Sequence, residues 1–314
     1  MSNASVIANR TAIAAVSDKG GVLRVYYIDI YGGIRETGYN GSGNSWWGGD
    51  KAIGTGKIGS PIAVAASPGL KNIRLYYIST DFKLSELCYD ADNSSKGWFA
   101  GDLGSKKYEI APYSQIAASY LSTDQLKIRV YVQAPDNSIQ EYSNDGSWYK
   151  DQNLGTALPG SSISFISYGG NKTSLRVYYQ TPSLDIIEKA HEDDGKWTTG
   201  EFSVKSAVPS AAISATVWTI SSGGTGIRVY YTGANDQVLE KANDGSWYDG
   251  AFKQSSIPGS QIGSLSWYAS STKAPEIRVY IQAGVQGTGI TEWKYQGGLG
   301  AWNIGTKALP PATQ

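Results

Sequence analysis

The stretch IRVYYTGANDQVLEKANDGSW runs from Ile227 to Trp247, and the chain carries its pattern six times. The other copies open at LRVYY (23–27), IRLYY (73–77), IRVYV (128–132), LRVYY (175–179) and IRVYI (277–281). Their arginines, Arg24, Arg74, Arg129, Arg176, Arg228 and Arg278, are 50, 55, 47, 52 and 50 residues apart. Six units of this length use the whole 314-residue chain. Residues 1–314 are therefore expected to form one domain of six repeats, with no room for a second.

Each unit has further punctuation. Upstream of the arginine sits a run of small apolar residues, such as IAAVS (13–17), IAVAAS (62–67) and IAASY (116–120). Downstream comes a tryptophan: Trp46, Trp98, Trp148, Trp197, Trp247 and Trp302. Glycine follows three residues later in five units, as Gly49, Gly101, Gly200, Gly250 and Gly305, while Asp151 holds that place in the third. This offset selects Trp46 over Trp47 as the repeat position. Each unit reads as four strands: one small and apolar, one IRVYY-like, one carrying a glutamate, and a short one after the Trp. Asp81, Asp136-Asn137 and Asn235-Asp236 supply turn chemistry between the second and third strands.

These features predict an all-β fold, a six-bladed β-propeller with four antiparallel strands per blade. Such a ring leaves only short protected edges, and small residues suit strands crowded around its axis. A solenoid is the rival, but its terminal units should be atypical caps. Here the last unit ends NIGTKALPPATQ, close to NLGTALPGSS (153–162) inside the chain, so the two ends read as neighbours in a ring.

Composition excludes several function classes. Formal net charge is zero, which argues against a basic nucleic-acid surface. One cysteine, Cys88, and one histidine, His191, do not make a zinc site, so no metal or cofactor is expected. Cys88 reads as a buried structural thiol. No GxSxG elbow occurs, and His191 is the single imidazole a hydrolytic triad could use. No apolar stretch reaches the ~20 residues of a membrane-spanning helix, so no membrane insertion is expected. The N-terminal stretch MSNASVIANRTAIAAV lacks the pattern of a signal peptide. A cytoplasmic protein, or one exported without such a peptide, is the expectation.

Glu36, Glu86, Glu141, Glu188 and Glu240 each lie twelve residues after the arginine of their unit, and Glu292 lies fourteen after Arg278. Six of the chain's eight arginines and six of its ten glutamates are used this way. With a turn centred near the sixth residue after Arg, the hairpin places the two opposite each other or one register apart, on one face. Three readings remain open. An exposed cross-strand ion pair contributes only ~0–1 kcal/mol, and Lys or Asp should drift into such positions. Lys never does, which points to the rigid five-donor fork of Arg. A guanidinium and a carboxylate together can grip vicinal hydroxyls, and a tryptophan offers a flat wall to the C–H face of a sugar. The Trp can equally be a packing residue between sheets. Catalysis is the third reading, but a glycosidase needs one asymmetric carboxylate pair rather than six near-equivalent sets.

On these residues the chain resembles the fungal fucose-binding lectins of the Aleuria and Aspergillus type. The IRVYY…IxE…GxW pattern carries the resemblance through all six units. It implies pockets between adjacent blades, metal-independent binding of L-fucose on fucosylated glycans, and no enzymatic activity. It also implies that each pocket takes Arg and Glu from one blade and Trp from the next. Carried over, Arg24 and Glu36 face Trp98, Arg74 and Glu86 face Trp148, and Arg129 and Glu141 face Trp197. Arg176 and Glu188 face Trp247, Arg228 and Glu240 face Trp302, and Arg278 and Glu292 close the ring with Trp46. Family members often add an aromatic three residues after the glutamate. Tyr39, Tyr89 and Tyr295 match that pattern; Asn144, His191 and Asn243 depart from it, so the six sites should differ in affinity. His191 would touch the Arg129 pocket from its edge.

Six modest sites facing one way would act as an agglutinin, because a second site captured on one glycan surface raises avidity ~10²–10⁴-fold. Fucosylated glycoproteins are thus the expected partners. A homodimer is possible and would multiply the effect. A sialidase-type propeller is the enzyme alternative, but SNDGSW (143–148) lacks the Asp-box spacing. A protein-interaction propeller is the other alternative, but the WD dipeptide period is missing and glycine doublets share no single offset.

Overall fold

The computed structural model describes residues 6–311 apart from 19–20, 42, 122–126, 170–172, 194, 220–223, 270–272 and 285–287. The first five residues of the N-terminal stretch read above lie outside it. Among the described residues, twenty-four strands form six separate four-stranded antiparallel sheets, each in simple sequence order. The sheets span residues 13–55, 62–100, 116–156, 163–204, 213–255 and 262–304 and are numbered here as blades 1 to 6. The first strands of neighbouring blades lie against one another all the way round, including blade 6 against blade 1. This is the six-bladed propeller that the repeat predicts.

The alternation of the second strand explains the packing. In blade 1, Leu23, Val25 and Tyr27 point one way and join Leu265 and Tyr280 of blade 6. Tyr26 and Ile28 point the other way and join Ile62, Ile73 and Leu75 of blade 2. A strand covered on both faces needs a nearly unbroken apolar run, which is what LRVYYI supplies. The same division recurs, so the six apolar cores lie between blades. Each buried Val, Leu or Ile in them contributes roughly 1.5–3 kcal/mol. Near the axis the small first-strand residues face a central shaft lined by Ala15, Ala117, Ser164, Ala215 and Ser264. Hydroxyl pairs tie neighbouring first strands together there: Ser214 with Ser264 at 2.8 Å, Thr216 with Ser266 at 2.7 Å.

Ring closure is specific. Ile7 bridges to Asp29 of blade 1 and Leu309 bridges to Ile290 of blade 6. The Gln282 amide donates to the Ala8 carbonyl at 3.1 Å, and its oxygen accepts the Thr11 N–H at 3.1 Å. Both terminal segments are thereby tied to the seam between blades 6 and 1.

One expectation fails. The fourth strand is not uniformly short: Trp47–Thr55, Trp148–Thr156 and Trp247–Ser255 have nine residues each, whereas Phe99–Ala100 has two. These outer strands are largely exposed, so their polar sequences carry little hydrophobic pattern to mark their length.

Candidate functional site

Register decides which side chains meet. In every blade the glutamate pairs with the tyrosine two residues after the arginine: Tyr26 with Glu36, Tyr76 with Glu86, Tyr131 with Glu141, Tyr178 with Glu188, Tyr230 with Glu240 and Tyr280 with Glu292. The turn is therefore centred one residue later than expected in the first five hairpins, and Arg and Glu are diagonal neighbours on one face. In blade 6 the two extra residues fall in the connection after Gln282, and Glu292 still meets Tyr280. The longer spacing leaves the pairing unchanged.

Arg Nε approaches Glu Oε1 at 3.1–3.7 Å in blades 1, 3, 4, 5 and 6. In blade 2, Arg74 turns instead to Asp90 at 2.7 Å. These pairs are not the exposed kind. The arginine side chains are 9–18% exposed, and the glutamates of the five paired blades 3–16%. Burial raises the carboxyl pKa of all six glutamates. Tyrosine hydroxyls oppose that shift by donating to Oε1 of Glu36, Glu86, Glu240 and Glu292 at 3.0–3.2 Å. Glu141 is pushed furthest, to about 7, by burial and then by the neighbouring Asp151.

The glycine three residues after the Trp now has a reason. In blades 1, 3, 4 and 5 the register of the fourth strand shifts beside the glutamate, and a Cβ on Gly101, Gly200, Gly250 or Gly305 would sit 1.9–2.3 Å from the carboxylate of its own blade. No side chain fits there without moving the acid. In blade 5 the bulge also turns the Phe252 N–H onto Glu240 Oε2 at 2.9 Å. Blade 1 differs, because a Cβ on Gly49 would meet Pro310 at 2.3 Å.

The wall comes from the following blade. Ring centroids lie 5.8–6.5 Å apart, edge to face, for Tyr26 with Trp98, Tyr76 with Trp148, Tyr131 with Trp197, Tyr230 with Trp302 and Tyr280 with Trp46. In the Arg176 pocket, Trp247 reaches Tyr178 through Phe202, at 4.8 Å and 5.2 Å. Five of the six tryptophans are partly exposed, and Trp148 is buried. Tyr39, Tyr89 and Tyr295 lie 5.5–5.8 Å from Trp46, Trp98 and Trp302 and complete three two-ring walls. His191 takes the same place beside Trp197 at 5.3 Å. It lines one cavity of about 580 Å³ with Arg129, Glu141 and Trp197.

Sequence reasoning passed over several residues. The tyrosine beneath each glutamate stands at a constant offset, yet it reads as part of the apolar run. A second acid holds the arginine from the end of the third strand: Asp145 and Asp244 grip Arg129 and Arg228 with two bonds each, at 2.9–3.0 Å. Glu192, at the same place in blade 4, takes a single bond from Arg176, and Glu276 on the second strand of blade 6 reaches Arg278 at 3.3 Å. Asp145 sits below the ordinary carboxylate range: burial opposes this, and the bonds from Arg129 and Tyr149 outweigh it. Aromatic rings also cover the guanidinium, with Trp47 over Arg24, Trp218 over Arg228 and Trp267 over Arg278 at 4.7–4.9 Å. Cys88 is buried, as expected, and burial pushes its thiol up to about 12.

Chemically, each boundary presents a positioned carboxylate and a fixed guanidinium, with a partly exposed indole beside them in five of the six. Among the described residues no cluster of three or more His, Cys, Asp or Glu could hold a metal ion. Residues 7–312 match the family described as fungal fucose-specific lectin. The chain belongs to that family. It is 37% identical to the fucose-specific lectin of Aspergillus fumigatus and 33% identical to that of Aleuria aurantia, covering 96% of this chain in both cases and 96% and 95% of those proteins. Among solved structures, the SapL1 lectin in complex with alpha methyl fucoside superposes with a TM-score of 0.88 at 38% identity, covering 99% of this lectin and 100% of that chain. An Aleuria aurantia lectin mutant in complex with alpha-methyl-L-fucoside gives 0.82 at 30% identity, covering 96% of each chain.

Proposed function

We propose that the protein is a non-catalytic, multivalent lectin that binds L-fucose on fucosylated glycans in the pockets between its blades. The observation that carries this reading is the recurrence, at six boundaries, of a largely buried Arg and Glu on one blade facing a tryptophan of the next. The carboxylate accepts hydrogen bonds from sugar hydroxyls, and the guanidinium donates to sugar oxygens. The indole covers the apolar face, where fucose carries a methyl group. Neighbouring structures with fucosides bound support the choice of sugar. A ligand this small limits each pocket to roughly micromolar to millimolar affinity. Strength on a cell surface then comes from engaging several pockets at once. Glycan-array binding with free L-fucose as competitor tests the proposal. Fucosylated glycans should dominate the bound set and be displaced; signal that fucose leaves untouched contradicts it.

A second copy of the chain is proposed as a further partner. Tyr31, Ile58 and Phe82 are 56–73% exposed on the hairpin ends and linker of blades 1 and 2. Lys57 joins them, with Nζ 5.8 Å from the Phe82 ring and 2.8 Å from the Pro112 carbonyl, next to Tyr113. An apolar patch of this kind is the expected centre of an isologous interface. Sedimentation velocity should show a dimer that Phe82→Lys weakens; a monomer across the micromolar range contradicts it.

A further inference from the structure

The third pocket is built differently from the other five. Where four blades hold glycine against the glutamate, blade 3 places Asp151. Its outer strand has one register shift beside Glu141 and another beside Ile139, a doubled irregularity that glycine-bearing blade 1 shares. Ser143 then stands between two acids. Its Oγ lies 3.2 Å from Glu141 Oε1 and 2.7 Å from Asp151 Oδ2. A serine hydroxyl carries one proton, so it can donate to only one of two ionised carboxylates. A second proton, on Glu141 or Asp151, completes both contacts. Glu141 is 3% exposed, and its Oε2 has no hydrogen-bond partner. The hydroxyl of Tyr131 beneath it is likewise buried without one.

The charges facing Glu141 do not remove the conflict. Arg129 Nε sits 3.1 Å away, but its two terminal nitrogens are held by Asp145 at 2.9 and 3.0 Å. His191 and Lys196 face the cavity from blade 4.

We propose that Asp151 makes the third pocket a proton-linked sugar site, in which Glu141 and Asp151 share one proton when empty and release it when a neutral sugar donates a hydroxyl to Glu141. The inference rests on the lectin reading above. Its balance is simple: the proton leaves to solvent, and the sugar O–H replaces it as donor to the freed carboxylate oxygen. Burial and Asp151 hold the Glu141 carboxyl near 7, so the fraction ready to accept falls about tenfold for each pH unit below that. Fucose affinity at this pocket is expected to weaken roughly 30-fold between pH 8 and pH 5.5, more than at the other five.

Site-resolved binding in the full chain tests this, because each pocket has its own indole. Methyl α-L-fucoside titrations followed by the indole N–H signals of Trp46, Trp98, Trp148, Trp197, Trp247 and Trp302 should show the Trp197 curve losing most affinity at pH 5.5. Asp151→Asn keeps the size and acceptor while removing the charge. It should move the Trp197 transition to lower pH, and Asp151→Gly should do the same. Equal pH dependence at all six indoles overturns the proposal. So does a dependence that survives Asp151→Asn and disappears in His191→Phe, which would assign it to the imidazole. If the fucoside moves no indole, the lectin reading fails instead. The shared proton is then still read from the ¹³C carboxyl shift of Glu141, assigned with Glu141→Gln. A midpoint above those of the other five glutamates is expected, and a midpoint among them contradicts the sharing.

Discussion

The two halves of each pocket are built under different rules. The half from the leading blade is nearly constant: Arg, a tyrosine two residues on, and a glutamate opposite that tyrosine, all in one register. The half from the following blade varies, with Trp always present but Tyr, His or Asn beside it. The constant half lies at the edge of the inter-blade core and belongs to it structurally. Changing it disturbs a buried ion pair as well as a ligand contact. The wall is partly exposed and is free to differ from pocket to pocket. The repeat therefore preserves the gripping chemistry while leaving the wall to set the affinity of each site.

The largest expected effect comes from the constant half. Arg228→Ala leaves Glu240 and Asp244 without their cation, and removing one partner of a buried pair typically costs about 3–5 kcal/mol. Urea unfolding should show that loss, together with silence of the Trp302 pocket toward fucoside. A stability change under ~1 kcal/mol would mean that the pair is not structural.

Next is the pH dependence of stability in blade 3. The Glu141 carboxyl rises to about 7 in the fold, above its value in the unfolded chain. Its stabilising contribution is full below the unfolded value and is lost as pH rises through 7. Glu141→Gln removes that loss. It should raise stability at pH 8 by roughly 1–3 kcal/mol and change little at pH 4. Thermal melts at the two pH values read the difference, and an equal shift at both contradicts it.

An effect of similar size is expected at the bulge. Gly250→Ala puts a Cβ 2.3 Å from Glu240 Oε2, so the acid must move, at about 1–3 kcal/mol. The Trp302 pocket should lose fucoside binding while the other five keep theirs. Smallest are changes confined to the wall. Asn243→Tyr adds a second ring beside Trp247, worth about 0.5–1.5 kcal/mol. It should tighten the Arg176 pocket several-fold and leave the melting temperature nearly unchanged.

Much of this was legible in the chain because the repeat multiplies weak signals. One Arg and one Glu twelve residues apart mean little, whereas five such sets and a sixth at fourteen bring out the hairpin, the blade and the shared site. The Trp46 choice over Trp47 followed from the glycine offset, and the structure places Trp46 against Tyr280 while Trp47 covers Arg24. Other features were hidden for physical reasons. Tyr230 looks like any aromatic in an apolar strand until the register sets its hydroxyl 3.1 Å from Glu240. Asp145 and Asp244 sit in turn-like sequences, SNDGSW and ANDGSW, where acids are ordinary turn formers. Outer-strand lengths were hidden because exposed strands need no apolar period. Asp151 was visible as a missing glycine, but its meaning depended on how close the bulge comes to the glutamate.

The central claim is that each sugar lies across a blade boundary. A crystal structure with methyl α-L-fucoside tests it most directly. Sugar is expected in contact with Arg228 and Glu240 on one side and Trp302 on the other, repeated at other boundaries. Sugar seated on a single blade, or only in the central shaft, would contradict it.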